Sequence, residues 1–334
     1  MSVKTVITGT GHYAPPKVVS NFDLEKVMNT TDEWIVQRSG IRTRHYAEDG
    51  VGSKAMGLEA ARRALADAKC APAEIDFIVA ATLSPDHYFP GIGVEIQNEL
   101  GCGNIGALDV RAQCSGFLFA LSVADQYIRT GTYKKILVVA AEVQSHNLDY
   151  SDDGRDMAVL FGDGAGAVVL EPSADGTGGH AILSTHLFGD GKHAKILSMD
   201  VPQSSKNPTF TSEIFEKKLY YPRMDGKRVF INAVERMPEA VQAALAANGL
   251  TVNDISVLIP HQANDRISLM VAQKLGIPVE KVIRNIERFG NTTAASIPIA
   301  LDETVKEGRL KAGDLLILTA FGSGFTWASV AIRW

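Results

Sequence analysis

Cysteine is scarce in this chain, and long apolar runs are missing from it. Its 334 residues include three cysteines, Cys70, Cys102 and Cys114, without the CxxC spacing of a zinc or redox motif. This pattern argues against a disulfide framework and a structural metal site, and it is typical of a reducing compartment. No run approaches the roughly 18 apolar residues of a membrane helix. Residues 1–7 lack the apolar segment of a signal peptide. We therefore expect a cytoplasmic protein with no metal and no membrane partner.

An excess of positive charge is also absent. The 33 Lys and Arg residues against 38 Asp and Glu residues give a net charge of −5. Nucleic-acid-binding proteins are usually basic, so we expect no nucleic-acid partner. Hydrophobic residues make up 46% and charged residues 21% of the chain, as in ordinary globular proteins. The length suits one large domain or two ordinary ones.

The sequence contains an internal repeat. Three pairs of matching residues are each 180 positions apart: Glu59 and Glu239, Leu65 and Leu245, and Ile75 and Ile255. Both copies alternate predicted helices and strands, which indicates a duplicated half-domain and a layered α/β/α/β/α block. We predict a first half at residues 1–170, an insertion or cap at 171–234, and a second half at 235–334.

Cys114 lies at a predicted junction between a strand and a helix. The apolar run 105–110 predicts a buried strand, and apolar residues at helical spacing follow from Phe117. Free backbone N–H groups and the helix dipole at such a junction favour a thiolate. The alternative is a buried structural cysteine. In the second half, His261 ends a predicted strand and residues 289–296 open a helix, so these polar groups are expected to converge where the halves meet.

The glycine-rich run 161–170 resembles a phosphate-binding loop only superficially. A dinucleotide fingerprint needs glycines between a strand and a following helix. Here an apolar, strand-like run follows them. We therefore expect close backbone packing and no nucleotide at this position.

Five motifs in order carry a resemblance to a known family. They are Cys114-Ser115-Gly116-Phe117, Gly162-Asp163-Gly164-Ala165-Gly166-Ala167, Pro260-His261-Gln262-Ala263-Asn264, Gly290-Asn291-Thr292-Thr293-Ala294-Ala295-Ser296 and Phe321-Gly322-Ser323-Gly324-Phe325-Thr326-Trp327. Together they resemble β-ketoacyl-acyl-carrier-protein synthase III of the thiolase superfamily. The resemblance implies the duplicated five-layered thiolase fold, a homodimer, and the condensation of an acyl-CoA primer with a malonyl thioester that initiates fatty acid synthesis.

The same resemblance implies the catalytic residues. Cys114 would be the nucleophile that carries the acyl group, since a thiolate both attacks a thioester and leaves well. His261 and Asn291 would stabilise the enolate formed when the malonyl group loses CO2. The backbone N–H groups of Cys114 and Ser323 would form the oxyanion hole. Coenzyme A thioesters are substrates, and no other cofactor is implied.

Matching positions also suggest how the substrate is held. Trp34 and Arg38 would contact the adenine end of coenzyme A, and Asn264 would line the pantetheine tunnel. Arg155 is a candidate for the phosphates, although its loop aligns ambiguously. Phe89 would reach across the dimer into the partner's acyl pocket, or it is an ordinary core aromatic.

The predicted docking site for the acyl carrier protein departs from the family pattern. Arg266 and Lys274 match basic positions of the family, but Ile231 and Gln273 occupy two others. Either carrier docking is weaker here, or malonyl-CoA replaces the malonyl carrier protein as the extender.

Two other functions stay open at this point. The segments 82–87 and 109–116 and the residue Ser323 are similar to synthases of alkylquinolone signals, so a longer or aromatic primer in signal or secondary metabolism is an alternative. A non-catalytic acyl-CoA-binding protein is a remoter one. Thiolase itself is excluded because no cysteine follows Cys114. Elongating synthases use a second histidine where this chain has Asn291.

Overall fold

The computed structural model of the chain describes residues 3–173 and 181–334. The strands are β1 (Lys4–Tyr13), β2 (Lys17–Ser20), β3 (Thr43–Tyr46), β4 (Phe77–Ala81), β5 (Gly106–Val110), β6 (Ile136–Glu142), β7 (Gly164–Ser173), β8 (Ala181–Gly189), β9 (Leu197–Ser198), β10 (Arg223–Met224), β11 (Val257–Pro260), β12 (Leu315–Gly322) and β13 (Thr326–Arg333). The helices are α1 (Asn21–Leu24), α2 (Asp32–Ser39), α3 (Ser53–Asp67), α4 (Ile92–Leu100), α5 (Gly116–Arg129), α6 (Arg155–Ala158), α7 (Ser212–Glu216), α8 (Gly226–Ala247), α9 (Asp265–Leu275), α10 (Ile286–Phe289) and α11 (Ser296–Lys306).

The main sheet contains two half-sheets that follow the sequence repeat. Within the described residues its order is β11-β12-β13-β8-β1-β7-β6-β4-β5. In the first half β4 pairs in parallel with β5 and β6, and in the second β11 pairs in parallel with β12. Among the described residues, the pairing of Val6 in β1 with Ala181 in β8 joins the two half-sheets. The duplication in the sequence is therefore a duplication of sheet topology.

Helices complete the five layers. The apolar helices α5 and α11 share a core with both half-sheets and form the central layer. Helices α3 and α4 cover the first half-sheet on its outer face, and α8 and α9 cover the second. Strands β4, β6, β11 and β12 are buried on both faces, which explains their nearly continuous apolar sequences.

The two elbows that open the central helices are equivalent. Gln113 and Thr293, which are 180 positions apart, both have a φ of 46°, a left-handed backbone conformation that is uncommon outside glycine. A short 3-10 turn follows each residue before α5 or α11 begins. A Cβ on Gly116 would lie 3.3 Å from the Cβ of Ala81 and 3.4 Å from that of Ala294, so the two halves meet closely at this glycine. The elbow carrying Cys114 thus contacts the second half directly.

The structure differs from the predicted cap of residues 171–234 at both ends. Residues 181–189 form the central strand β8, and residues 226–234 begin the long helix α8. The compact cap is therefore residues 190–225, which contain β9, α7 and β10. The apolar start of β8, Ala181 and Ile182, is too short to indicate a strand among the polar residues around it.

The strand predicted at residues 105–110 exists, but it is not buried. None of the five residues of β5 is buried, because β5 is the edge strand of the sheet, and Leu108 is 38% exposed. Burial of this strand was predicted wrongly from its apolar sequence.

Candidate active site

A cavity of about 140 Å³ lies where the two halves meet. It brings together Cys114, His261 and Asn291, the three residues predicted to be catalytic, and Asn264 also lines it. Cys114 follows β5, His261 follows β11, and Asn291 precedes the elbow of α11. The ends of repeated elements therefore converge on one apolar cavity.

The Cys114 thiol is deeply buried. Burial raises its pKa to about 12, the negative charge of Glu142 adds to the rise, and the backbone N–H groups of Cys114 and Ser323 oppose it. Burial thus opposes the thiolate that the strand–helix junction is expected to favour. Those two N–H groups are nevertheless the donors predicted for the oxyanion hole. Gly322 permits this approach, since a Cβ there would lie 2.8 Å from the Cβ of Cys114.

Glu142 is a buried acid beside this thiol. It ends β6 and receives hydrogen bonds from the Ser84 hydroxyl at 2.6 Å and from the Leu83 N–H at 3.2 Å. Burial raises its pKa to about 7, although these donors stabilise the charged form. The carboxyl therefore changes charge near neutral pH, within the electrostatic reach of Cys114.

His261 is held as a neutral imidazole. Burial lowers its pKa to about 3, and Nδ1 lies 2.7 Å from the Ser296 hydroxyl oxygen. The Gln262 N–H donates to the same oxygen at 3.3 Å. The hydroxyl can thus donate its proton to Nδ1, which leaves the hydrogen of the ring on Nε2. Nε2 has no partner among the described residues.

The glycine-rich run holds Asn291 in place. The Asn291 N–H donates to the Leu160 carbonyl at 2.8 Å, and the Gly162 N–H donates to the Asn291 carbonyl at 3.1 Å. Any side chain at Gly162 would collide with the Phe289 carbonyl. The run continues into β7, as expected for a packing element rather than a nucleotide loop. Since the Asn291 Oδ1 accepts the Thr293 N–H at 2.9 Å, Nδ2 is the part of the amide free to donate.

Asn264 connects this cavity to a group of aromatic and basic residues. Its Nδ2 donates to the Arg38 carbonyl at 2.8 Å. The guanidinium carbons of Arg38 and Arg155 lie 4.2 Å and 4.4 Å from the centre of the Trp34 ring. The structure therefore places all four predicted coenzyme-A-binding residues of this region next to one another.

The cap forms one wall of the cavity. Leu197 and Met224 line it, together with Gly226, Val229 and Phe230 of α8. The Ser323 hydroxyl donates to the Leu197 carbonyl and ties the cap to the loop beside Cys114.

Three predicted site residues, Phe89, Arg266 and Lys274, neither line this cavity nor belong to the group around Trp34. Phe89 is 80% exposed on the surface segment between β4 and α4, so the alternative of an ordinary core aromatic is wrong. Arg266 and Lys274 are exposed on α9. Arg266 also lies 5.6 Å above the ring of Phe230, a cavity residue, so it is next to the site.

Two important residues had no role in the sequence analysis. Glu142 follows the apolar residues of β6, and a single acid at the end of an apolar run usually indicates the start of a loop. Ser296 stands in a quoted motif, but its partner His261 is 35 positions away. A lone acid that ends a fully buried strand is the signal that was available for Glu142.

The described ranges contain no group of three or more His, Cys, Asp or Glu side chains placed to hold a metal. No helix there is long and apolar enough to cross a membrane.

The two half-sheets, the central helices and the buried cysteine define a thiolase-fold protein built for acyl transfer. Family models agree with this class. Residues 108–191 match 3-oxoacyl-[acyl-carrier-protein] synthase III, and residues 245–334 match the C-terminal part of the same enzyme. The chain belongs to the β-ketoacyl-acyl-carrier-protein synthase III family of condensing acyltransferases.

Individual relatives cover the whole chain. A β-ketoacyl-acyl-carrier-protein synthase III of Rhodospirillum centenum is 45% identical over 335 residues, which is 100% of both chains. The crystal structure of the synthase III from Aquifex aeolicus matches at 42% identity and a TM-score of 0.90, over 99% of this chain and 100% of that one. A priming β-ketosynthase of the R1128 polyketide pathway matches at 37% identity and a TM-score of 0.89, over 99% and 96%. The predicted family and thiolase fold are confirmed.

Proposed function

We propose that this enzyme transfers an acyl group from coenzyme A to Cys114 and then extends it with a malonyl unit. The cavity that joins Cys114, His261 and Asn291 carries this proposal. In the first step Cys114 Sγ forms a bond to the acyl carbon, and the carbon–sulfur bond to coenzyme A breaks. The thiol proton of Cys114 ends on the coenzyme A sulfur. The N–H groups of Cys114 and Ser323 stabilise the oxyanion that forms in between.

The second step uses the two side-chain donors. A malonyl thioester loses CO2, and its enolate oxygen accepts hydrogen bonds from Nε2 of His261 and Nδ2 of Asn291. The enolate carbon then attacks the acyl carbon on Cys114 and releases the Cys114 sulfur as a thiolate, which takes one proton from solvent. Burial keeps His261 neutral, so it acts as a hydrogen-bond donor without a charge that the apolar cavity would disfavour. One cycle therefore consumes the two thioesters and one proton, and it releases free coenzyme A, CO2 and the β-ketoacyl thioester.

Substrate binding follows the path from the surface to the thiol. We assign the adenine end of coenzyme A to Trp34 and Arg38, its phosphates to Arg155, and the pantetheine arm to Asn264. The contacts that link these side chains support this assignment. Arginine guanidinium groups suit phosphate recognition because they offer several donors in one plane.

We also propose a homodimer. The edge strand β5 exposes Leu108, and the nearby surface exposes Tyr88, Phe89 and Val94. An uncovered edge strand beside apolar residues is a pairing surface. A second copy paired there would bring Phe89 near the partner's cavity. The cytoplasmic location stays a prediction, supported by three free cysteines.

A mass measurement tests this function. We expect an acyl-CoA to leave one acyl group on the wild-type protein at Cys114, and a malonyl thioester to remove it as a β-ketoacyl product. Cys114→Ala should give neither adduct nor product, whereas Cys102→Ala, another buried cysteine, should give both. Product formation by Cys114→Ala at the wild-type rate would overturn the proposal. Absence of an adduct on the wild-type protein with every acyl-CoA would favour the alternative of an acyl-CoA-binding protein.

The relative from the R1128 pathway supports the alternative of a longer or aromatic primer. It shows that a similar chain serves as a priming synthase in polyketide synthesis. We therefore propose initiation of fatty acid synthesis with a short primer as the function, and a longer or aromatic primer as the alternative. A screen of Cys114 acylation against short, long and aromatic acyl-CoAs separates the two.

A further inference from the structure

A second pocket, of about 350 Å³, lies on the surface of the cap. Four basic residues line it: Lys192, Lys195, Arg223 and Arg228. Asp225 is the acidic residue among its lining. All four basic residues are exposed, in a chain whose net charge is −5. The pocket is thus a local concentration of positive charge on an acidic protein.

Neighbouring acids neutralise only part of this charge. Asp225 accepts the Arg228 N–H at 3.1 Å as the cap of α8, and Asp190 pairs with Lys192 at 2.9 Å. The side chains of Lys195 and Arg228 make no hydrogen bond or ion pair with another residue in the described ranges. Like charges held together raise the local potential and favour an anionic partner.

The pocket shares a wall with the cavity that contains Cys114. Met224 lines both, and Gly226 and Val229, which flank Arg228 closely in sequence, line the cavity. On the other side of the cavity wall, Arg266 lies over Phe230. An anionic surface bound at the pocket would therefore lie next to the cavity that contains Cys114.

The pocket also supplies charge that the predicted docking patch lacks. Ile231, 44% exposed on α8, and Gln273, exposed on α9, are uncharged where basic residues were expected. Arg228 lies three residues before Ile231 and hence one helical turn away. Helix α8 therefore carries the exposed basic residue Arg228 in its first turn, whereas the family pattern has a basic residue in the second turn, at the position of Ile231.

We propose that this basic pocket binds an acidic surface of the carrier protein that delivers the malonyl thioester. The proposal rests on the condensing function proposed above. A carrier must place its thioester arm in the cavity, so its body has to contact the protein next to the cavity entrance. Exposed cations, of which Lys195 and Arg228 have no side-chain partner among the described residues, suit a solvated protein surface better than a small buried anion, because exposed charges mainly guide and orient association.

Charge reversal tests the pocket. The double variant Lys195→Glu/Arg228→Glu should raise KM for the malonyl carrier protein about tenfold at low salt, with kcat nearly unchanged, and the difference should shrink as salt screens the charges. Acylation of Cys114 by acyl-CoA should stay within about twofold of wild type, since that step involves no carrier. Arg266→Glu, in the same KM assay, tests the carrier-docking patch predicted from the sequence. Lys311→Glu is the matched control, because Lys311 precedes β12 and lies roughly 25 Å along that strand from Gly322.

Each outcome decides the question. An unchanged KM for the malonyl carrier protein would overturn the proposal. Slower acylation by acyl-CoA in the double variant would assign the pocket to the phosphates of coenzyme A instead. If the wild-type protein forms no acyl-enzyme at all, the condensing function fails, independently of the pocket.

Discussion

The charge states of three buried side chains decide how the site works. Cys114 is held as a thiol, His261 as a neutral imidazole, and Glu142 titrates near pH 7. In each side chain burial is the main cause, since it disfavours the charged form. Burial therefore favours the uncharged forms of Cys114 and His261 and brings the pKa of Glu142 close to neutral pH.

Glu142 should make the stability of the protein depend on pH. Its folded pKa of about 7 lies above the ordinary 4.5. The stability it contributes is therefore fully present below pH 4.5 and is lost as the pH rises through 7. Glu142→Gln lacks this effect, so wild-type stability relative to the variant should fall by on the order of 3 kcal/mol over this range.

Urea unfolding of both proteins at a series of pH values measures the difference. The lowered pKa of His261 acts in the opposite direction, but it is common to both proteins and cancels in the comparison. A difference that does not change with pH would mean that the pKa of Glu142 is the same in the folded and unfolded protein, which contradicts the prediction.

Ser296 should act through His261. Ser296→Ala removes the hydroxyl that fixes the imidazole through Nδ1 at 2.7 Å. We expect malonyl decarboxylation to slow about tenfold, with a smaller effect on Cys114 acylation, because the enolate depends on Nε2. Separate assays of the two half-reactions check this. Ser329→Ala, at a buried serine whose hydroxyl lacks a described partner, is the control. Equal loss in both half-reactions would indicate a general structural role.

At the scale of elements, the repeat in the sequence predicts most of the arrangement of helices and strands. The offset of 180 positions between matching helices also relates the strained residues Gln113 and Thr293 of the two elbows. A repeat of this kind is visible because both copies bury the same pattern of apolar residues. Convergence of Cys114, His261 and Asn291 follows from it, since equivalent element ends meet at the interface of the halves.

The rest depends on contacts that no local pattern records. The sequence alone places β8 in the cap, because its central position in the sheet depends on pairing with β1 and β13, which are distant in sequence. β5 looked buried because edge and central strands can have the same composition. The bond from Ser323 to Leu197 joins residues 126 positions apart, and nothing near either residue indicates it.

That bond should help to set the size of the acyl pocket. Ser323→Ala keeps the backbone N–H of the oxyanion hole but releases Leu197, which lines the cavity. One lost hydrogen bond is worth about 1 kcal/mol, so kcat/KM for a long acyl-CoA relative to acetyl-CoA should rise about fivefold. Competition between acyl-CoAs, read by mass on Cys114, measures this ratio. Ser204→Ala, at an exposed cap serine, should leave it unchanged. An unaltered ratio in Ser323→Ala would show that the cap does not limit the primer.

At the scale of the whole molecule, the edge of the sheet formed by β5 is exposed, whereas the opposite edge strand, β11, is buried. β5 has β4 as its neighbour on one side and no strand on the other among the described residues. Leu108, Phe89 and Val94 are exposed around it. Edge strands of this kind are usually covered. A second copy that covers β5 would bring the Phe89 segment to the neighbouring site.

Leu108→Lys should therefore separate the dimer, because it places a charge on the paired edge. We expect sedimentation velocity to give the mass of one chain for Leu108→Lys and of two chains for the wild type. Val18→Lys, at an exposed position of the separate strand β2, should stay dimeric. If Phe89 closes the partner's acyl pocket, Phe89→Ala and Leu108→Lys should shift the preferred primer length in the same direction. Of these two variants, Phe89→Ala can remain a dimer. A monomeric Leu108→Lys with the wild-type primer profile would place the acyl pocket within one chain and leave Phe89 to the interface alone.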